Sequence, residues 1–170
     1  MSRTSYTDDY GDDFPGQINL FRANVRRSMR SRAGQQRLRE LRDALLALPE
    51  KELYPQVFVE GPRESPAVCA LGAWALKKAD GDADAASSMV DADPDYGWDV
   101  EAADQLAPHG WPKLVVLETV YQNDEECGVR EVIHGPATRH GSWPVVRFRD
   151  ETPAERYARV LRWVESHIVA

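Results

Sequence analysis

A stretch that is apolar on almost every side constrains this chain more than any other feature. In "SPAVCALGAWALKKADG", residues 65–81, the side chains Val68, Cys69, Leu71, Ala73, Trp74, Ala75 and Leu76 nearly encircle a helix expected over about Ala67–Ala79, with Gly81 as its stop. A helix of that kind has no face to give to water, so other elements must surround it. The chain supplies them at helical spacing. A helix starting near Gln17 carries Ile18, Phe21, Val25 and Met29 three and four residues apart. "SRAG" at 31–34 interrupts it, because Gly34 inside a helix costs about 1 kcal/mol relative to Ala. Leu38, Leu41, Leu45 and Leu48 then form the stripe of a second helix that stops at Pro49, and either two antiparallel helices or one kinked helix fits. Pro112 heads another, bearing Leu114, Val115, Leu117 and Val120 and fraying at Asn123-Asp124. The last helix has a capping box of Thr152 and Glu155 with Pro153 at its first position, followed by Tyr157, Val160, Leu161, Val164 and Ile168.

Strand signals are fewer. Val57-Phe58-Val59 is a short β-like run closed by Gly61-Pro62, and the β-rich runs 129–133 and 145–148 flank Gly135-Pro136 and Gly141 as a hairpin with a long loop. The expected fold is therefore mainly α (α+β): one compact helical domain of five to seven helices over residues 17–170, with a small β-hairpin insertion at about 129–148, behind a flexible acidic tail at 1–16. A chain of 170 residues, 42% hydrophobic, buries enough apolar surface to fold without disulfide or metal staples. The chain has only two cysteines, Cys69 and Cys127, its opening residues are polar and acidic, and no apolar run approaches the roughly 20 residues of a membrane span. A cytoplasmic protein with free thiols and no membrane partner is the expectation.

Charge is segregated within the net −7. Residues 17–48 hold eight arginines against Glu40 and Asp43, a net of +6, while the remainder has 13 basic and 26 acidic residues. Residues 80–104 alone carry nine carboxylates and no lysine or arginine, and are expected to form one or two short polar surface helices, the second capped by Asp99. Such a split marks either a nucleic-acid contact through Arg22, Arg26, Arg27 and Arg30, or two parts of one fold attracting each other.

Each residue set with chemical potential has a plain structural alternative. Cys69 at a helix start has the placement of a thiolate nucleophile, with His109, His134, His140 or His167 as base, which would make a thiol-dependent hydrolase. Its small apolar neighbours favour packing instead, with Gly72 allowing close approach of another element, and replacement of Cys69 by Ser is then expected to cost stability. Cys127, His134 and His140, with His109, have spacings unlike those of structural zinc sites. Asp80, Asp82, Asp84 and Asp91 imitate a calcium loop, but Ala85 stands where that loop needs glycine and Ser87 where it needs an apolar residue. The carboxylates of "YQNDEE", 121–126, are read as a helix-ending turn whose Asn123 and Asp124 side chains bond backbone groups. No catalytic residue, metal site or cofactor is assigned from these patterns.

"RAGQQRLRELRDALLALPEKEL", "AVCALGAWA" and "VYQNDE…DETPAERYARVLRWVESHI" occur in an order that resembles a group of small bacteriophage- and prophage-encoded proteins, which read "GxxCALGA", "VYxNDE" and "ETPEERxxRxxxWV". The resemblance spans about residues 30–80 and 110–168, and the chain departs from it in the 127–149 insertion and the acidic tail. It implies a phage-borne origin, a mostly helical fold and expression inside a bacterial host, and it brings no reaction. It also implies that Asn123-Asp124 packs beside the cap of the last helix. The function expected is that of an accessory protein that binds a host or phage protein and inhibits or redirects it. Trp143, Arg147 and Arg149 on the hairpin, with Asp93 and Asp95 in the acidic segment, are the candidate contacts.

Overall fold

The central helix exists and is enclosed as its composition demands. In the computed structural model, which describes residues 15–91, 98–124, 128–134 and 144–169, without the side chains of 15–19, 98, 128, 130–134 and 144–148, the apolar segment forms α3 (Ala70–Lys78). Six consecutive residues of it, Ala70 to Ala75, are buried. It is packed by α2 (Arg32–Ala47), α4 (Ala83–Ser87) and α6 (Lys113–Asp124), and by the two-residue strands β1 (Val59–Glu60) and β2 (Ala67–Val68). Outside these lie α1 (Pro15–Arg30) against α2 and α6, α5 (Trp98–Leu106) against α6, and α7 (Pro153–His167) against α2 and α6. Strands β3 (Gly128–His134) and β4 (Pro144–Asp150) pair antiparallel, with Val132 opposite Val146. Seven α-helices and two small antiparallel sheets among the described residues make the fold mainly α with a small β insertion. No helix among them is long and apolar enough to cross a membrane.

Local chemistry explains most boundaries. Residues 15 and 16, expected in the tail, open α1, and Pro15 suits a first helical position because its missing N–H has no partner there anyway. The rest of the expected tail, 1–14, lies outside the described residues. Two helices, not one kinked helix, follow, and a single residue joins them. The Ser31 hydroxyl accepts from Gly34 N at 3.0 Å and donates to Ser28 O at 2.7 Å, capping α2 while holding the end of α1. Gly34 thus sits inside the first turn of α2, where a Cβ would run into the Ser28 and Met29 carbonyls. Thr152 and Glu155 form the capping box of α7, with Pro153 at its first position.

Three expectations need correction. Ala67 and Val68 are not helical: Val68 pairs with Val59 and Ala67 with Glu60, because the β-like run before Gly61 takes its partner from the segment leading into α3. Asp99 is a buried residue inside α5 rather than its cap, and Ala102, Ala103 and Leu106 of that helix are fully buried, so the second half of the acidic segment builds core. Finally, α6 is buried from Val115 through Val120, on nearly every side, which its alternating polar letters concealed.

Candidate functional site

The motifs at 67–75 and 121–126 meet at one buried point. Cys69 has extended backbone (φ −85°, ψ −177°) and is the N-cap of α3, its Sγ accepting from Gly72 N at 3.3 Å. Helix starts leave unpaired N–H groups, and a polar side-chain atom at the cap takes one of them. A second, Ala70 N, donates to Asn123 Oδ1 at 3.1 Å. Asn123 Nδ2 donates to Tyr54 O at 3.0 Å and to Asp124 Oδ1 at 2.6 Å, and the same carboxylate oxygen accepts from Gln56 N at 3.1 Å. Gln56 sits at φ 60°, a left-handed conformation strained for a residue with a Cβ, and the Asp124 bond helps to hold it there. Gly72 completes the junction: Cys69 N donates to Phe58 O at 3.3 Å, and a Cβ on Gly72 would collide with that same carbonyl.

This junction is a latch rather than a reaction centre. Cys69 is 2% exposed and Asn123 1%. Burial, followed by the nearby Asp124 charge, pushes the Cys69 thiol up to about 12, outweighing the Gly72 N–H that favours the thiolate. At neutral pH the thiol stays protonated, whereas a nucleophile needs the anion. His109 is exposed and stands edge-to-face with Trp74, and His167 Nδ1 lies 2.8 Å from Trp163 O. His134 lies in β3 without a described side chain, and His140 and Cys127 lie outside the described residues. Asn123 and Asp124 secure the start of α3 and the 54–56 turn, and beside them the Gln122 carbonyl accepts from Arg159 of α7.

The acidic loop is occupied with its own backbone. Asp82 caps α4, Oδ1 accepting from Asp84 N at 3.0 Å and Ala85 N at 3.2 Å, while Oδ2 pairs with Arg63 Nη2 at 3.0 Å. Those bonds, Ala85 N first, lower the Asp82 pKa. Asp80 takes a left-handed φ of 51° and, with Gly81, closes α3: Gly81 N donates to Leu76 O and Asp80 N to Lys77 O. Among the described residues no three His, Cys, Asp or Glu side chains converge on a metal position.

Of the expected partner contacts, Trp143, Asp93 and Asp95 lie outside the described residues, and Arg147 stands opposite Glu131 in the hairpin register. Arg149 is committed within the fold: Nη1 and Nη2 reach Glu155 Oε2 and Oε1 at 2.8 and 2.6 Å. That guanidinium, aided by Thr152, holds the Glu155 carboxyl down at about 2. A second knot escaped the sequence reading. Glu151 chelates Arg159 through two bonds of 2.8 Å and stands 3.6 Å from buried Arg156, whose Nη1 lies 3.5 Å from Leu53 O. Arg156 lies one turn before Val160 on the inward ridge, so helical spacing did hold a signal for its burial.

The arginines of 22–42 divide by helix. Three of the four on α2 have internal partners: Arg37 bonds Glu40 and Gly110 O, Arg39 Nη2 donates to Val169 O at 2.9 Å, and Arg42 pairs with Asp43 at 2.7 Å, whereas Arg32 at its start is exposed. On α1, Arg22, Arg26, Arg27 and Arg30 are all exposed, while Val25 and Met29 face the core. Positions i, i+4, i+5 and i+8 put the four within an arc of about 140°. Among the described residues no carboxylate pairs with any of them, and Arg26 Nε bonds only the Arg22 carbonyl, at 3.3 Å. Arg26, Arg27 and Arg30 line one shallow notch with Ala23 and Ser31. Comparison with protein-family models, with curated proteins and with solved structures finds no match to this chain.

Proposed function

We propose that this protein acts by binding, as a phage-borne accessory factor in the cytoplasm of a bacterial host, and that its contact surface is the arginine face of α1, which receives an anionic macromolecule. One observation carries the proposal: four guanidiniums share an exposed helix flank with no carboxylate of the described residues opposite them. If the segregated charge served only to hold the fold together, these side chains would have found partners, as Arg37, Arg39 and Arg42 of α2 have. The commitment of Cys69, Asn123 and Asp124 to backbone groups supports binding over thiol chemistry. Among the contacts expected on the hairpin, Arg149 contributes to the cap of α7 first. A host or phage protein remains the partner to look for wherever its surface is acidic.

The test is affinity capture from host lysate, with and without infection, comparing the native chain with a variant carrying Arg22→Gln, Arg26→Gln, Arg27→Gln and Arg30→Gln. The expected result is a stoichiometric partner that the variant loses while its circular dichroism and melting temperature stay unchanged. A partner retained by the variant would remove α1 as the contact surface.

A further inference from the structure

We infer that the α1 face is a sequence-independent contact for a nucleic-acid phosphate backbone. It rests on the binding role proposed above and names the partner class. Residues 17–48 contain eight arginines and no lysine, and the planar guanidinium forks onto phosphate or carboxylate oxygens through two parallel bonds. Two features of the face favour a polyphosphate over an acidic protein. First, Arg22, Arg26 and Arg30 form a straight ridge along the helix, with steps of about 6 Å and a length of about 12 Å from the helical rise, which suits a linear polyanion. Second, the described side chains around the face lack what a protein interface draws its energy from. Protein partners are held by buried aromatic and large apolar side chains. Among the described side chains the exposed neighbours are Ala23, Asn24, Ser31 and Arg32, with Leu20 toward the N-terminal end.

The rest of the molecule sets the limits of the contact. Outside residues 17–48 the chain carries 13 basic and 26 acidic residues, which repel a polyanion and confine it to α1. The guanidiniums lie along a ridge that follows a phosphate backbone, so affinity follows phosphate contacts rather than base sequence. With a slope of about −0.9 per neutralised phosphate, four contacts give a log–log salt slope of about −3.6. Affinity then falls about 150-fold between 50 and 200 mM salt.

The experiment is fluorescence anisotropy of a labelled random-sequence duplex DNA titrated with the full chain across that salt range, with poly-glutamate as a second probe and the four-glutamine variant alongside. Expected are the steep salt slope, indifference to DNA sequence, a slope about 0.9 shallower for each single Arg→Gln change, and weaker competition from poly-glutamate than from unlabelled DNA. Poly-glutamate competing as well as DNA overturns the preference for phosphate. Absence of DNA binding at 50 mM salt overturns the nucleic-acid assignment. If an acidic protein is then still captured through the four arginines, the binding role stands and only the partner class is wrong. If neither DNA nor protein binding responds to the four substitutions, both fall together. DNA binding that survives in the four-glutamine variant overturns the assignment to α1.

Discussion

Asn123 concentrates more of the fold in one side chain than any other residue. Its amide receives Ala70 N, supplies Tyr54 O and steadies Asp124, joining segments 53 and 69 residues away. Asn123→Ala leaves a buried helix N–H and a buried carbonyl without partners, at about 1–3 kcal/mol for each unsatisfied group. A loss of about 3 kcal/mol is therefore expected in urea unfolding. Asn123→Asp, nearly the same shape, should be at least as damaging, because it sets oxygen against the Tyr54 carbonyl and a second carboxylate beside Asp124. An Asp variant as stable as the native chain would show that the latch does not depend on the amide donor. The Cys69 thiol belongs to the same junction. With its pKa about 12 and 2% exposure, it should resist a thiol reagent at pH 8 until the chain unfolds, read in a Cys127→Ser background. Its role as a cap also changes the expected ranking of substitutions. Cys69→Ala loses both the acceptor for Gly72 N and the buried sulfur, at about 1–2 kcal/mol. Cys69→Ser keeps an acceptor and should cost less than Ala.

Helix α7 shows how a well-signalled element serves its neighbours. Its capping box was legible in Thr152, Pro153 and Glu155, yet the Glu155 carboxylate also receives both arms of Arg149 from the end of β4, so the cap fastens the hairpin to the helical body. This interaction has a pH signature. Glu155 is held at about 2, below its ordinary value of 4.5, chiefly by Arg149. A carboxyl with a depressed folded-state pKa contributes stability in full above its unfolded value and loses it as pH falls through the folded one. Thermal stability should therefore decline between about pH 5 and pH 2, and Glu155→Gln should lower the melting temperature at pH 7 while flattening that acid limb. An acid limb unchanged in the variant would show that Glu155 does not set it. The contrast between α1 and α2 belongs to this scale too. Both are 16-residue amphipathic helices, but α2 packs against α1, α3 and α7 and finds partners for Arg37, Arg39 and Arg42, whereas the arginine flank of α1 is exposed among the described residues.

At the scale of the molecule, what could be read in advance was whatever depends on a few consecutive residues. The apolar girdle of α3, the leucine stripe of α2, the capping box of α7, the stop at Gly81 and the two runs of the hairpin are periodic or terminal signals, and each lies close to its expected place. Even the need for Gly72 was visible, although not the Phe58 carbonyl that imposes it. The misread stretches share a cause. Ala67-Val68 is a strand because Val59-Glu60 reaches it, and α5 is core because α6 lies against it. The arginines of α2 show both scales: Arg37 and Arg42 pair with Glu40 and Asp43 of their own helix, whereas the bonds of Arg37 to Gly110 O and of Arg39 to Val169 O depend on what folds beside α2. The sequence by itself determined the helices, their caps and their inward faces, because capping and amphipathic spacing act within a turn or two of chain. Only the tertiary structure decided which polar groups meet and which charges stay exposed, because those outcomes depend on neighbours that the chain brings together from 50 or more residues away.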